Sequence, residues 1–200
     1  MPEAGRQGLP ARLLWVLPAM ALALAAVLPP AASASQRFAA KGEIELAFTP
    51  RDDAESLLVG VIERARRSLH VQAYAFTSKR IANAMVAAHR RGVKVQVLAD
   101  AHMNRNPKGN ALPILLAGGV PVAVETEYNA AHNKVLIADA DGPGCAVLTG
   151  SYNFTWSAQN RNAENVIVLR GHCELAQAYR DNWLAHRRKA MVITALPFKR

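Results

Sequence analysis

Cysteine is scarce in this chain of 200 residues: the two present, Cys145 and Cys173, are too few for a disulfide-dense scaffold or a four-thiolate zinc site. Acidic residues are also short, 15 against 24 Lys and Arg, which leaves a formal net charge of +9. Charged residues make up only 20% of the chain and apolar residues 51%, a balance that excludes a disordered basic tail or an all-polar nucleic-acid chaperone. It suffices for one core of ordinary domain size. The basic excess attracts polyanions, whether nucleic acid, acidic lipid or phosphorylated substrates, without choosing among them. No cysteine lies near a histidine in a nucleophile arrangement. His70, His89, His102, His172 and His186 show no H-x-x-x-H or carboxylate spacing and read as surface or helix-end residues rather than metal ligands.

The N-terminus carries Arg6 and Arg12, then the apolar residues 13–28, then PPAASAS with a small-x-small cleavage site at Ala32-Ser33-Ala34. The apolar run is 16 residues long and contains Pro18, short of the roughly 20 residues that span a bilayer. Residues 1–34 therefore read as a secretory signal peptide, and residues 35–200 as a single exported domain, periplasmic or secreted. Without residues 1–34 the net charge is +8, so the basic character belongs to the folded part. Outside the reducing cytosol Cys145 and Cys173 are free to form a disulfide, or to remain two partly buried thiols.

Residues 43–49 alternate, with Ile44, Leu46 and Phe48 on one face, and predict a half-buried strand stopped by Pro50. Leu57, Leu58, Val61, Ile62 and Ala65 recur at helical spacing behind the capping candidates Asp52 and Asp53. A strand over 69–76, a helix over 78–92 ending at Gly92 and a strand over 93–99 complete a βαβαβ rhythm. Beyond a polar loop come a short apolar helix, a strand over 120–125, and three apolar segments at 134–139, 145–150 and 164–169, the first two joined by the turn-rich ADGPG. A final helix covers 173–189. The expected fold class is α/β, a mixed, mostly parallel sheet with helices on both faces.

The chemistry concentrates between residues 132 and 164. His132 and Lys134 are two apart on a strand, so their side chains share a face, and Ser151 and Asn153 do the same after the next strand. If the ADGPG hairpin pairs these strands, an imidazole, an ammonium, a hydroxyl and an amide converge on a site for a reacting anion. These residues form the pattern His132-Asn133-Lys134, four residues, Asp139, ten residues, Gly150-Ser151-Tyr152-Asn153. It resembles the signature of the phospholipase D superfamily, with a longer gap between Asp139 and Gly150 than is common there. The likeness runs through nearly all of residues 35–200 to Glu164, and is nearest to the small secreted endonucleases with one signature per chain.

The resemblance implies a phospholipase D-like α/β sandwich and a phosphodiesterase in which one histidine attacks phosphorus, forming a phosphohistidine, while a second protonates the leaving oxygen. One signature supplies one histidine, so two chains are expected to meet on a two-fold axis, each giving His132, Lys134, Ser151 and Asn153 to a shared site. Glu164 is expected to accept a hydrogen bond from His132 and fix its tautomer. Gly150 allows close backbone approach, and Asp139, an odd step from Lys134, is assigned a structural ion pair away from the site. No metal or cofactor is expected, since Lys134 would repel a cation beside His132. Tyr152, Phe154 and Trp156 read as half core, with base stacking the lesser reading; Arg105 and Lys108 read as a solvated loop. The leading expectation is cleavage of DNA, and of RNA as a further substrate. Hydrolysis of phospholipid head-group diesters is the alternative, disfavoured because no amphipathic, aromatic-rich helix offers stable membrane association. A non-catalytic nucleic-acid-binding module is disfavoured by the presence of both His132 and Lys134.

Overall fold

The computed structural model describes residue 1 and residues 35–198, so the expected signal peptide and its cleavage site lie outside the described residues. From Arg37 onward the chain forms one compact unit. Its elements are β1 (Glu43–Thr49), α1 (Ala54–Arg64), β2 (Ser68–Ala73), α2 (Lys79–Arg90), β3 (Lys94–Asp100), α3 (Leu112–Ala117), β4 (Val122–Glu125), β5 (Lys134–Ala138), β6 (Ala146–Gly150), α4 (Trp156–Asn160), β7 (Glu164–Arg170), α5 (Cys173–Arg187) and β8 (Met191–Ile193). The Asp53 carboxylate accepts from Ser56 N to start α1, and the Ser78 hydroxyl accepts from Ile81 N to start α2. The short α4 and β8, five and three residues long, carry too little periodicity to be read from sequence.

All eight strands join one sheet in the order β1-β7-β6-β5-β2-β3-β4-β8. The expected mixed sheet is present, but its balance is antiparallel. Only β2–β3 and β3–β4 are parallel, against five antiparallel pairings. Parallel neighbours need a crossover connection, which α2 and α3 supply for β2–β3 and β3–β4, whereas β5, β6 and β7 follow one another through a hairpin and a short helix.

Helices cover both faces. On one, Leu58 and Ile62 of α1, Ile81 and Met85 of α2, and Leu112 and Leu115 of α3 pack on Leu69, Val71, Val97, Leu136 and Leu148. On the other, Ala176 and Trp183 of α5 pack on Leu98, Ala123, Val135, Ile137 and Val147, and Trp183 Nε1 donates to Val71 O at 2.8 Å. The Cys145–Cys173 disulfide ties the start of β6 to the start of α5 across 28 residues. Closing a loop of that length constrains the unfolded chain by about 3.5 kcal/mol.

β1 reverses the sequence expectation. Ala47 and Thr49 face the core, whereas Ile44, Leu46 and Phe48 are 56%, 56% and 49% exposed. β1 is the sheet edge, and α5 reaches only the centre of its face of the sheet. The cross-strand neighbours Leu169 and Ile167 are half-buried, which extends an uncovered apolar face over two strands.

Asp139 is structural, as expected, but not through an ion pair. It sits at φ +47°, and its carboxylate accepts from the backbone N–H groups of Arg66, Arg67 and Ser68 at 2.8, 2.7 and 2.9 Å, closing the α1–β2 connection. Among the described residues it pairs with no cation. Leaving three donors unsatisfied costs more than keeping one acceptor. Asp139→Ala is therefore expected to lower the unfolding free energy by about 2–4 kcal/mol in urea denaturation, and Asp139→Asn, which retains an oxygen and tolerates positive φ, by clearly less. Equal losses, or none, contradict this.

Candidate active site

The site lies at the end of the sheet where β5 begins and β2 ends, Lys134 standing opposite Ala73. The approach to β5 is anchored by Asp100, a buried carboxylate that accepts from Ala131 N at 2.8 Å and Met103 N at 2.7 Å. Asn133 points to the other face of the strand, where its amide donates to Gln72 Oε1 at 3.2 Å. Gln72 in turn donates to the buried Glu125 at 2.9 Å, whose other oxygen meets His186 Nδ1 at 2.5 Å. His132 and Lys134 are thus held from behind by a polar network centred on the buried Gln72 and Glu125.

On the near face, Lys134 Nζ lies 2.9 Å from His132 Nδ1 and 2.5 Å from His132 O, and 4.8 Å from the centre of the Tyr74 ring. The Tyr74 and His132 rings are 4.3 Å apart. Lys134 is 5% exposed. Burial pushes its ammonium below the ordinary lysine pKa, and the negative charge of Glu164 partly offsets this. An ammonium has only donors, so a neutral His132 facing it accepts at Nδ1 and carries its proton on Nε2.

The second half of the site is built on β6 and β7. Gly150 adopts φ +149°, and a Cβ there would lie 2.2 Å from Asn165 O, so only glycine fits. Ser151 Oγ donates to Glu164 Oε2 at 2.6 Å and accepts from Asn165 N at 3.1 Å, while Asn162 donates to Glu164 Oε1 at 2.9 Å. Within one chain the Glu164 carboxylate is therefore engaged by Ser151 and Asn162. The expected hydrogen bond to His132 is absent, because that imidazole nitrogen is turned to Lys134. Asn153 Oδ1 is buried and, among the described residues, has no partner.

Tyr74 and Asp100 escape sequence reasoning because their partners at the site are far away in sequence, and Asn162, only two residues from Glu164, because no motif marks it. Tyr74 alone carries a signal, as an aromatic at the end of a predicted strand. His172 and His186 are helix-end residues, as expected, at the two ends of α5; His172 is buried and caps it, and His186, in its last turn, pairs with Glu125, 61 residues away. Tyr152 and Phe154 belong to the core, Phe154 edge-on to Phe76 at 5.4 Å, whereas Trp156 is exposed. Among the described residues no three His, Cys, Asp or Glu side chains form a metal-ligating group. A cleft of about 730 Å³ lined by Arg67, His70, Lys94 and Arg180 lies at the opposite end of the sheet, away from this chemistry.

A lysine charge held this dry costs stability, so Lys134→Met is expected to unfold at an unchanged or higher urea concentration, by up to about 2 kcal/mol. The folded pKa lies below the unfolded one, so the penalty is complete while both states are protonated. It fades as rising alkaline pH deprotonates the native state first. The advantage of Lys134→Met over the unsubstituted protein should accordingly be largest near neutrality and shrink toward pH ~10. A variant that is several kcal/mol less stable contradicts this.

A family model described as "Cardiolipin synthase, PLD-like domain" matches residues 58–186. The chain is 37% identical over 147 residues to a protein named phospholipase D from Rickettsia prowazekii, covering 74% of this chain and 69% of that one. It is 34% identical over 117 residues to the mitochondrial cardiolipin hydrolase of Xenopus laevis, covering 58% and 53%. The crystal structure of Nuc from Salmonella typhimurium, a phospholipase D family member, superposes with a TM-score of 0.70 at 28% identity over 76% of this chain and 99% of that one. NucT from Helicobacter pylori shares the fold, with a TM-score of 0.68 at 24% identity. With the His132–Lys134 pair, Gly150-Ser151-Tyr152-Asn153 and Glu164 at one end of the shared sheet, the chain belongs to the phospholipase D superfamily of phosphodiesterases.

Proposed function

We propose that this enzyme hydrolyses phosphodiester bonds of nucleic acid, DNA and also RNA, without a metal, through a phosphohistidine on His132. The observation that carries the reading is the buried cationic Lys134 against His132, beside a serine–glutamate pair, in a domain of net charge +8. Phosphodiester transfer asks the protein to place an in-line nucleophile and to stabilise charge on the non-bridging oxygens. Lys134, the Ser151 hydroxyl and the Asn153 amide N–H groups supply that stabilisation. His132 Nε2 attacks phosphorus, the P–O bond to the leaving group breaks, and a second imidazole gives the leaving oxygen its proton. Water then attacks the phosphohistidine, losing a proton to the same second imidazole, and His132 is released.

A chain has one such histidine, so the second is the partner's in a homodimer with a shared site. For Nε2 to attack, the proton must move to Nδ1, and Lys134 must turn from Nδ1 to the phosphate. The Nδ1 proton then needs an acceptor. The Glu164 carboxylate keeps acceptor sites beyond its bonds to Ser151 and Asn162, so it is the expected acceptor, reached across the two-fold axis. The exposed Ile44, Leu46 and Phe48 face offers an apolar surface for a second copy. We further infer export as a single catalytic domain over residues 35–200, in keeping with the Cys145–Cys173 disulfide and the N-terminal apolar run. Phospholipid cleavage is the second reading, favoured by what relatives at 34–38% identity are named. Among the described residues no helix is long and apolar enough to cross a membrane.

Purified protein lacking residues 1–34 is expected to cut plasmid DNA and RNA equally well with and without EDTA, and to leave phosphatidylcholine and cardiolipin vesicles intact. Leu46→Glu should sediment as a folded monomer and lose nearly all cleavage. Restoration by Mg²⁺ of activity lost in EDTA, turnover of the lipids alone, or a fully active monomer would each overturn the corresponding part.

A further inference from the structure

Of the three aromatics that follow Gly150, two are absorbed into the core and the third is left without a structural task. Trp156 opens α4 and is 59% exposed. Leaving the largest side chain in water forgoes burial worth more than that of a leucine. Its position is nevertheless rigid. Thr155 Oγ1 accepts from Ala158 N at 3.1 Å, and Ala158 is buried. Gln159 clamps α4 to the start of α1, donating to Asp52 O and accepting from Glu55 N, both at 3.0 Å. Asn160 donates back to Trp156 O at 2.9 Å. The Arg161 guanidinium lies 5.0 Å from the Trp156 ring centre and, among the described residues, pairs with no carboxylate. The next side chain, Asn162, holds Glu164. The segment thus joins Ser151 to Glu164 and carries on its outer side a fixed indole with a free cation beside it.

We propose that Trp156 and Arg161 form a docking platform for an unpaired nucleobase flanking the scissile phosphate, the indole stacking on the base and the guanidinium meeting the adjoining backbone. This rests on the nucleic-acid reading above and narrows it to single-stranded or locally unpaired substrate, since both faces of a base in duplex are covered by its neighbours. Stacking accepts every base, so the platform confers strand selectivity without sequence preference.

The protein lacking residues 1–34 holds two tryptophans, exposed Trp156 and buried Trp183, so its emission reports directly on the platform. In a His132→Asn background that prevents cleavage, oligothymidine is expected to quench the exposed component, and Trp156→Phe to bind comparably without that quenching. Trp156→Ala should weaken oligothymidine binding about 5- to 150-fold, while changing binding of an abasic oligomer of equal length by less than about twofold. Oligothymidine binding without quenching, equal losses for both oligomers, or conversion of the dimer to a monomer by Trp156→Ala would overturn the platform while leaving nucleic-acid binding intact. Failure of the His132→Asn protein to bind either oligomer, with an emission shift only on anionic vesicles, would overturn the nucleic-acid reading and the platform with it.

Discussion

A lysine ammonium kept almost out of water at the end of the sheet is the constraint around which the site is organised. Lys134 can remain charged there only because compensation is fixed in place: His132 O and Nδ1 accept from it, the Tyr74 ring faces it, and Glu164 opposes its charge. Each requirement fixes part of the fold. Tyr74 needs β2 beside β5, Glu164 needs β7 within range across β6, and Gly150 is the residue whose missing Cβ lets β6 approach Asn165. The penalty that burial imposes on the ammonium is also what makes it effective. A cation already stripped of water gives up little solvation when a phosphate arrives.

The rest of the molecule supports that end of the sheet from two sides. Asp100 and the Gln72–Glu125–His186 network brace residues 131–133 from behind, while the disulfide and Trp183 fix α5, which carries His186, to the sheet. The apolar side chains left exposed include the outer face of β1 and Trp156. Both lie outside the core, and both find a use in the proposed function, one as a surface for a second copy and the other as a platform for substrate.

Much of this was legible in the sequence, and what was not has physical reasons. The H-x-K and G-S-x-N spacing places its residues because the period of a strand is fixed, so the shared end of β5 and β6 follows from counting. Helix caps at Asp53 and Ser78 are likewise local. For β1, alternation gives two faces without saying which is covered, and Ala47, the smaller residue, faces the helices. The mostly parallel expectation failed because β5, β6 and β7 follow one another without long crossovers. Asp139 was placed away from the site correctly, but its partners are backbone amides 71 to 73 residues away, invisible to any pattern of charged side chains. Tyr74, Asp100 and the Glu125–His186 pair are long-range contacts of the same kind. Glu164 lies at the same end of the sheet, but its partners within the chain are Ser151 and Asn162, and Lys134 occupies the facing nitrogen of His132.

The most direct measurement is to find the covalently modified residue. During turnover of a slow nucleic-acid substrate, quenched into denaturant at alkaline pH to protect a phosphoramidate, peptide mass spectrometry should locate a phosphoryl adduct on His132, absent from the His132→Asn protein. An adduct on Ser151, or none under conditions where a burst of product shows that an intermediate accumulates, would contradict the account.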